Sequence, residues 1–365
     1  MRYGLQQHRF GVNYTPTRAW WDCWNDFDAD AIARDLDAVA AIGADHIRIM
    51  LMWPYFQPNP SVVSAAHLNR LDRLMRLAAE RELDVCVTLF VGWLSGFAFK
   101  PAFQKDDNFY DLAASRGPQL LYLEAMAGVV RTHENFLGFD LGNELACCWK
   151  TDADTGDGWS AHMLAECQRL APQAVHVNGT DHQSWFYPSS FSPQHLARGQ
   201  AIAALHCWPL FTGAIERSGG DAMHACCLSL SAGMAALARA HAGDANKPVW
   251  IQEYGMSESW TAAENVPRFL HESTAQALAS GVNWFTWWSS HDLDRAYRFD
   301  PLEYSLGLID HDNRIKPAGL AFKAVADAWR GKPVAVAAEP ALAPPLVHDD
   351  ASSWQWLDAW RAARA

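Results

Sequence analysis

The chain has 365 residues, half of them hydrophobic and 19% charged, the make-up of a protein that buries one large core. Its net charge of −12 argues against nucleic acid or an anionic membrane as partner and favours a neutral ligand. The eight cysteines include no C-x-x-C pair, so neither a zinc ribbon nor a redox motif is present.

The start, MRYGLQQHRFGVNY, lacks the apolar stretch of a signal peptide, and no apolar run approaches membrane-spanning length. A reducing, cytoplasmic setting is therefore expected. From here strand-like runs alternate with amphipathic helical patterns. RFGVNY (9–14) leads into DADAIARDLDAVAAIG, where Ile32, Leu36, Val39 and Ala40 recur at helical spacing and Gly43 stops the helix. HIRIMLMW (46–53), DVCVTLFVGW (84–93) and the segment 136–144 follow, separated by helical patterns. AVHVNG (174–179), AIAALHCW (201–208), PVWIQEYG (248–255) and VNWFTWWSSHD (282–292) complete a series of eight strands, most of them followed by a helix.

Eight such units predict a (β/α)8 TIM barrel. The nearly continuous apolar runs fit strands with one face in the barrel and the other under helices. A doubly wound sheet would want a glycine-rich fingerprint after the first strand, and FGVNYTP offers none. The expected division is a single catalytic barrel over 1–330 and an extension over 331–365. That extension comprises a Pro/Ala-rich tail and a terminal amphipathic helix packed back on the barrel.

Barrel chemistry sits at the C-terminal ends of the strands. There FDLGNELACCWK (139–150) ends an apolar strand on Asn143 and Glu144, and WIQEYG places Glu253 at the end of the seventh strand. Strands four and seven face each other across a barrel, so two acids at their ends can share one space. Paired carboxylates across a cleft suit glycoside hydrolysis, one protonating the leaving oxygen and the other meeting the developing positive charge. At roughly 5–5.5 Å apart they imply direct attack and retention of configuration. Arg48 in the second strand is placed to keep Glu253 ionised or, as readily, to pair with Asp140. Asn143 suits the sugar 2-hydroxyl, and His206 ends the sixth strand.

Tryptophan is over-represented, 18 against 17 Phe and 9 Tyr. Indole faces stack on the C–H faces of sugars, although filling a large core is open to any one of them. Trp287 and Trp288 stand together in the eighth strand, and Trp93, Trp149 and Trp260 on upper loops are candidates for outer subsites. Glu258 and Glu303 are loop acids with no chemistry forced on them.

LGNE and WIQEYG resemble the acid/base and nucleophile motifs of clan A retaining glycosidases, especially glycoside hydrolase family 5. Longer stretches resemble its bacterial β-mannosidase branch, which acts on the Man-β-1,4-GlcNAc core of N-glycans. These are FGVNYTPTRAWW, WPYFQPN, LSGFAF, TWWSSHD and LEYSLGLIDHDNRIKPAG, and the likeness covers residues 10 to about 320. The resemblance implies Glu144 as acid/base, Glu253 as nucleophile and Asn143 on the 2-hydroxyl. It also places Arg48 behind the nucleophile, His206 and Trp208 in the site, and Trp287 or Trp288 beneath the sugar. Two departures stand out: the sixth strand reads HCW where the family commonly has His-x-Tyr, putting Trp208 in the tyrosine's place, and the third strand lacks the family's frequent histidine.

The expectation is a metal-independent, cofactor-independent enzyme whose partner is a small oligosaccharide; oligomeric state is not readable. Imported fragments rather than polymers would reach a cytoplasmic enzyme, which favours exo-action, with loops 94–117 and 180–200 closing one end of the cleft. The competing readings are an endo-acting mannanase or glucanase and a sugar-binding barrel without catalysis. A metal-dependent barrel hydrolase would want a His-x-His on the first strand, which GVNYTP lacks.

Overall fold

The computed structural model describes residues 4–104, 108–335, 339–340 and 342–364. Residues 105–107 of the loop expected to flank the cleft, and 336–338 and 341 of the tail, lie outside the described residues. The strands are β1 (Arg9–Asn13), β2 (His46–Met52), β3 (Asp84–Val91), β4 (Trp93–Leu94), β5 (Phe97–Ala98), β6 (Phe136–Asp140), β7 (Ala203–Cys207), β8 (Val249–Tyr254) and β9 (Trp284–Trp287). β4 and β5 form a small antiparallel hairpin after β3. The other seven make one parallel sheet, ordered β6-β3-β2-β1-β9-β8-β7 among the described residues.

That order follows the chain around a TIM barrel and leaves one gap, between β6 and β7. The predicted fifth strand fills it, but as an irregular stave rather than a ladder strand, which corrects the expectation for 174–179. Val177 bridges Asp140 on one side and Thr180 bridges Leu205 on the other. In between, side chains take the backbone donors a ladder would use: Asn178 N–H goes to Gln200 Oε1 and Gly179 N–H to Asp140 Oδ1. Gly138 admits the stave, because a Cβ there would lie 1.7 Å from the Val175 carbonyl oxygen. Glycine in a strand commonly marks such an approach.

Both faces of the sheet are covered, so all seven residues of β2 are buried. The helices lie outside. The one over Ala29–Ala41 starts where Asp28 accepts from the amides of Asp30 and Ala31, and the chain leaves it through Gly43 at φ 80°. Inside the barrel, Cys86, Leu137, Val177, Ile202, Trp250 and Trp284 form a second, smaller apolar cluster. The C-terminal helix Asp350–Arg364 buries Trp354, Trp356, Leu357 and Trp360. It packs on the helix Leu230–Ala242, where Gly233 gives the close approach that Leu357 and Trp360 require.

Candidate active site

Glu144 follows β6 in a left-handed backbone conformation, φ 47° and ψ 51°. That region costs a non-glycine residue roughly 1–2 kcal/mol, and such outliers concentrate at functional sites. Glu253 lies in β8, directly across the mouth of the barrel. Both reach the same imidazole: His206 Nδ1 is 2.8 Å from Glu144 Oε1 and 3.4 Å from Glu253 Oε2. One oxygen from each carboxylate and the ring nitrogen all fall within 4.8 Å of one another.

The two acids have different surroundings. Arg48, fully buried, places Nη1 2.5 Å from Glu253 Oε1 and 3.0 Å from Asn13 Oδ1. Its Nε and Nη2 hold Asp140 at 2.9 and 2.7 Å, and Nη2 reaches Asn143 Oδ1 at 3.0 Å. Arg48 therefore pairs with both Asp140 and Glu253. Trp208 donates its indole N–H to Glu253 Oε2 at 3.2 Å. Glu253 too is raised by burial, against the pull of His206 and Arg48. Glu144 has only the more distant pull of Arg48 against its burial and is raised to about 7. Environments that separate two acids in this way assign them different protonation states.

The imidazole supports that assignment. Burial lowers the His206 pKa, favouring the neutral ring. With the Gln252 carbonyl oxygen 3.1 Å from Nε2, that nitrogen carries the hydrogen. In that tautomer the Nδ1 lone pair accepts from a protonated Glu144 across the 2.8 Å contact. Glu144, His206 and Glu253 also have a spacing that a divalent cation could use, but the Arg48 guanidinium already supplies positive charge to Glu253.

These groups open on a cavity of about 1300 Å³ lined by Trp93, Asn143, Glu144, Trp208, Glu253 and Trp288, among others. Two predicted sugar contacts are corrected. Trp287 is fully buried and donates its N–H to the Leu306 carbonyl, because neighbouring strand residues face opposite sides and only Trp288 turns to the cavity. Trp149 is also fully buried; it stacks on Phe109 at 4.0 Å and meets Trp53 edge-on, as part of an aromatic core. Trp260 packs on Trp208 and Phe211.

Sequence reasoning missed four groups. Asn13 and Gln252 hold Arg48 and His206, and as polar residues inside apolar strands they did carry a signal. Asp181, which follows the fifth stave, lines the cavity and is raised to about 8 by burial and by Glu144. Glu303 is 5% exposed, lines the cavity and is raised to about 7 by burial. Its loop has no periodicity from which its place could be read.

The profile of the cellulase family, glycosyl hydrolase family 5, matches residues 5–292. A variant GH5_18 enzyme from Streptomyces cattleya, solved in complex with Manβ1-4GlcNAc, is 35% identical with a TM-score of 0.86, covering 91% of this chain and 83% of its own. The GH5_18 enzyme of Bifidobacterium longum subsp. longum ATCC 55813 is 27% identical with a TM-score of 0.87, covering 98% and 90%. The exo-β-1,4-mannosidase Op5Man5 from Opitutaceae bacterium strain TAV5 is 25% identical with a TM-score of 0.77, covering 88% and 59%. The curated proteins offer no match. With the profile spanning most of the barrel and a carboxylate pair at its mouth, the chain belongs to glycosyl hydrolase family 5 and is a glycoside hydrolase.

Proposed function

We propose that the protein is a retaining exo-β-mannosidase that releases mannose from Man-β-1,4-GlcNAc-type oligosaccharides. The carrying observation is that Glu144 and Glu253 present oxygens within 4.8 Å of each other around one imidazole nitrogen. This spacing suits direct displacement; inverting enzymes keep roughly 6.5–9.5 Å between their carboxyls to admit a water.

In the first step Glu253 attacks the anomeric carbon while Glu144 gives its proton to the departing sugar oxygen. A glycosyl ester forms on Glu253 as the glycosidic bond breaks. Water then enters, Glu144 takes its proton, and the water oxygen displaces the Glu253 carboxylate. Arg48 and the Trp208 N–H keep Glu253 ionised and oriented, and Asn143 stands where the sugar 2-hydroxyl would lie. The mannose preference and the GlcNAc on the reducing side draw support from the Manβ1-4GlcNAc bound in the Streptomyces relative. Exo-action draws support from the similarity to the exo-β-1,4-mannosidase Op5Man5 and from the aromatic cluster of Trp20, Phe97 and Phe299 beside the cavity.

Hydrolysis of aryl β-mannoside, β-glucoside and β-galactoside, then of Man-β-1,4-GlcNAc and long mannan, tests the specificity. Shortened polymers appearing before mannose would overturn exo-action. Roles are tested by leaving group: Glu144→Ala should lose about 10²–10⁴-fold on the disaccharide and far less on an activated aryl mannoside. Glu253→Ala should abolish both, and equal losses in the two variants on both substrates would refute the division of labour.

A further inference from the structure

The β4–β5 hairpin contributes Trp93, Leu94, Ser95 and Gly96 to the cavity lining that also holds Trp288. Its turn residues Ser95 and Gly96 have φ of 48° and 80°, the pair of left-handed residues that a tight two-residue hairpin uses. The returning Phe97 stacks on Phe299 at 4.7 Å, and Trp20 packs on both at 5.5 and 5.3 Å. This wall joins the loop after β3 to the loop after β9.

Just inside the wall is Glu303. A one-turn helix, Pro301–Tyr304, carries it, with the Asp300 side chain capping the Leu302 amide. The Glu303 carbonyl is tied to the Leu293 amide at 3.0 Å. Burial raises the carboxyl to about 7, and the Ser95 hydroxyl and the Trp288 indole, close enough to donate to it, pull it partway back. Among the described residues Ser95 Oγ is buried with no partner besides that carboxyl, and no Lys, Arg or His forms an ion pair with Glu303. Buried polar groups left without partners are costly. Glu303, Ser95 and Trp288 all line the cavity, so the donors that stand beside the carboxyl can be shared with a bound group. A purely structural acid would be expected to have a cation or a closed set of donors.

We propose that Glu303, together with Ser95, is the specificity-determining clamp on the terminal sugar, gripping hydroxyls on the side away from the scissile bond. The chemistry matches. A carboxyl can accept from two neighbouring hydroxyls, a serine hydroxyl can donate or accept, and the Trp288 face offers the sugar an apolar floor. A further sugar attached at those hydroxyls would run into Phe97 and Phe299, so the same contact selects chain ends. This inference rests on the exo-β-glycosidase reading above.

The test compares the wild type, Glu303→Ala, the isosteric Glu303→Gln and Ser95→Ala on an aryl β-mannoside and on its 4-deoxy and 6-deoxy analogues. In the wild type, removing the gripped hydroxyl should lower kcat/KM by about 10- to 100-fold, as expected when a site built to hydrogen-bond a group loses it. Glu303→Ala should lose a similar factor on the parent sugar and little more on that analogue, because two removals of one contact do not add. Glu303→Gln should lose about 10-fold and Ser95→Ala less, with melting temperatures held within a few degrees. Equal, additive losses on every analogue would overturn the clamp and mark Glu303 as acting through Glu253 instead. Unchanged kcat/KM in Glu303→Ala would overturn it outright. Should the wild type cleave no β-mannoside, the functional reading fails, and the comparison is repeated on deoxy analogues of the aryl glycoside it does cleave.

Discussion

Two fully buried arginines sit at opposite ends of the barrel and are used in opposite ways. At the N-terminal end, Arg9 bonds Asp45 at 2.9 Å and Asp84 at 2.7 Å. Burial pushes Asp45 upward, but Arg9 and His46 outweigh it and hold the carboxyl below its ordinary range. At the C-terminal end, Arg48 serves Asp140 and Glu253 and stands near Glu144, with Asp181 and Glu303 in the same cavity. One guanidinium does not neutralise so many acids, and Glu144, Asp181 and Glu303 rise to about 7, 8 and 7. The first arrangement is a closed ion cluster. The second leaves acids protonated near neutrality, which is what an acid catalyst requires and a stable core avoids.

The largest effect should come from removing each arginine. Either Arg9→Met or Arg48→Met leaves buried carboxylates uncompensated, which costs about 3–5 kcal/mol of stability. Only Arg48→Met should also lower kcat/KM of the folded protein, by about 10³-fold, since it frees Glu253 to protonate and swing away. Urea unfolding and kinetics on folded protein separate the two quantities. A comparable kinetic loss in Arg9→Met would break the comparison.

A smaller effect should appear in stability against pH, with opposite signs at the two ends. Glu144 has a folded-state pKa above its unfolded value, so the native state holds the extra proton between about 4.5 and about 7. Stability from this group is therefore greatest at low pH and is lost as pH rises through that window. Asp45 is depressed, so its contribution is present above the unfolded aspartate value and disappears as pH falls through the folded one. Glu144→Gln should recover stability on the order of 1–2 kcal/mol at pH 8 relative to wild type and little at pH 5. Asp45→Asn should destabilise at pH 7 and less at pH 3. Melting curves at four pH values suffice, and identical pH slopes in wild type and Glu144→Gln would contradict the raised pKa.

The two ends also differ in how far they can be read from sequence. Glu144, Glu253, Arg48 and His206 are legible because each is a polar residue set in or at the end of an apolar strand, where a core would not choose it. The eightfold alternation makes the barrel legible for the same reason. The fifth stave misleads: its apolar spacing is that of a strand, but Gln200 and Asp140 capture its amides from elsewhere in the chain. Glu303 and the wall before it come from two loops that meet only in space. Indoles are ambiguous in principle, since the same side chain serves a core and a sugar platform.

Trp149 puts that ambiguity to the smallest test. Its ring lies in a stack with Phe109 and beside Trp53, five residues after Glu144 in sequence but fully buried and not among the residues that line the cavity. Trp149→Phe keeps an aromatic ring against Phe109 and removes an indole N–H that has no hydrogen-bond partner among the described residues, so the loss is that of packing volume alone. We expect about 1–2 kcal/mol of destabilisation and a KM for Man-β-1,4-GlcNAc within about twofold of wild type, because uniform binding contacts are untouched. A KM raised tenfold without loss of stability would mean that the ring meets the substrate after all, and that the aromatic core behind Glu144 opens when sugar binds.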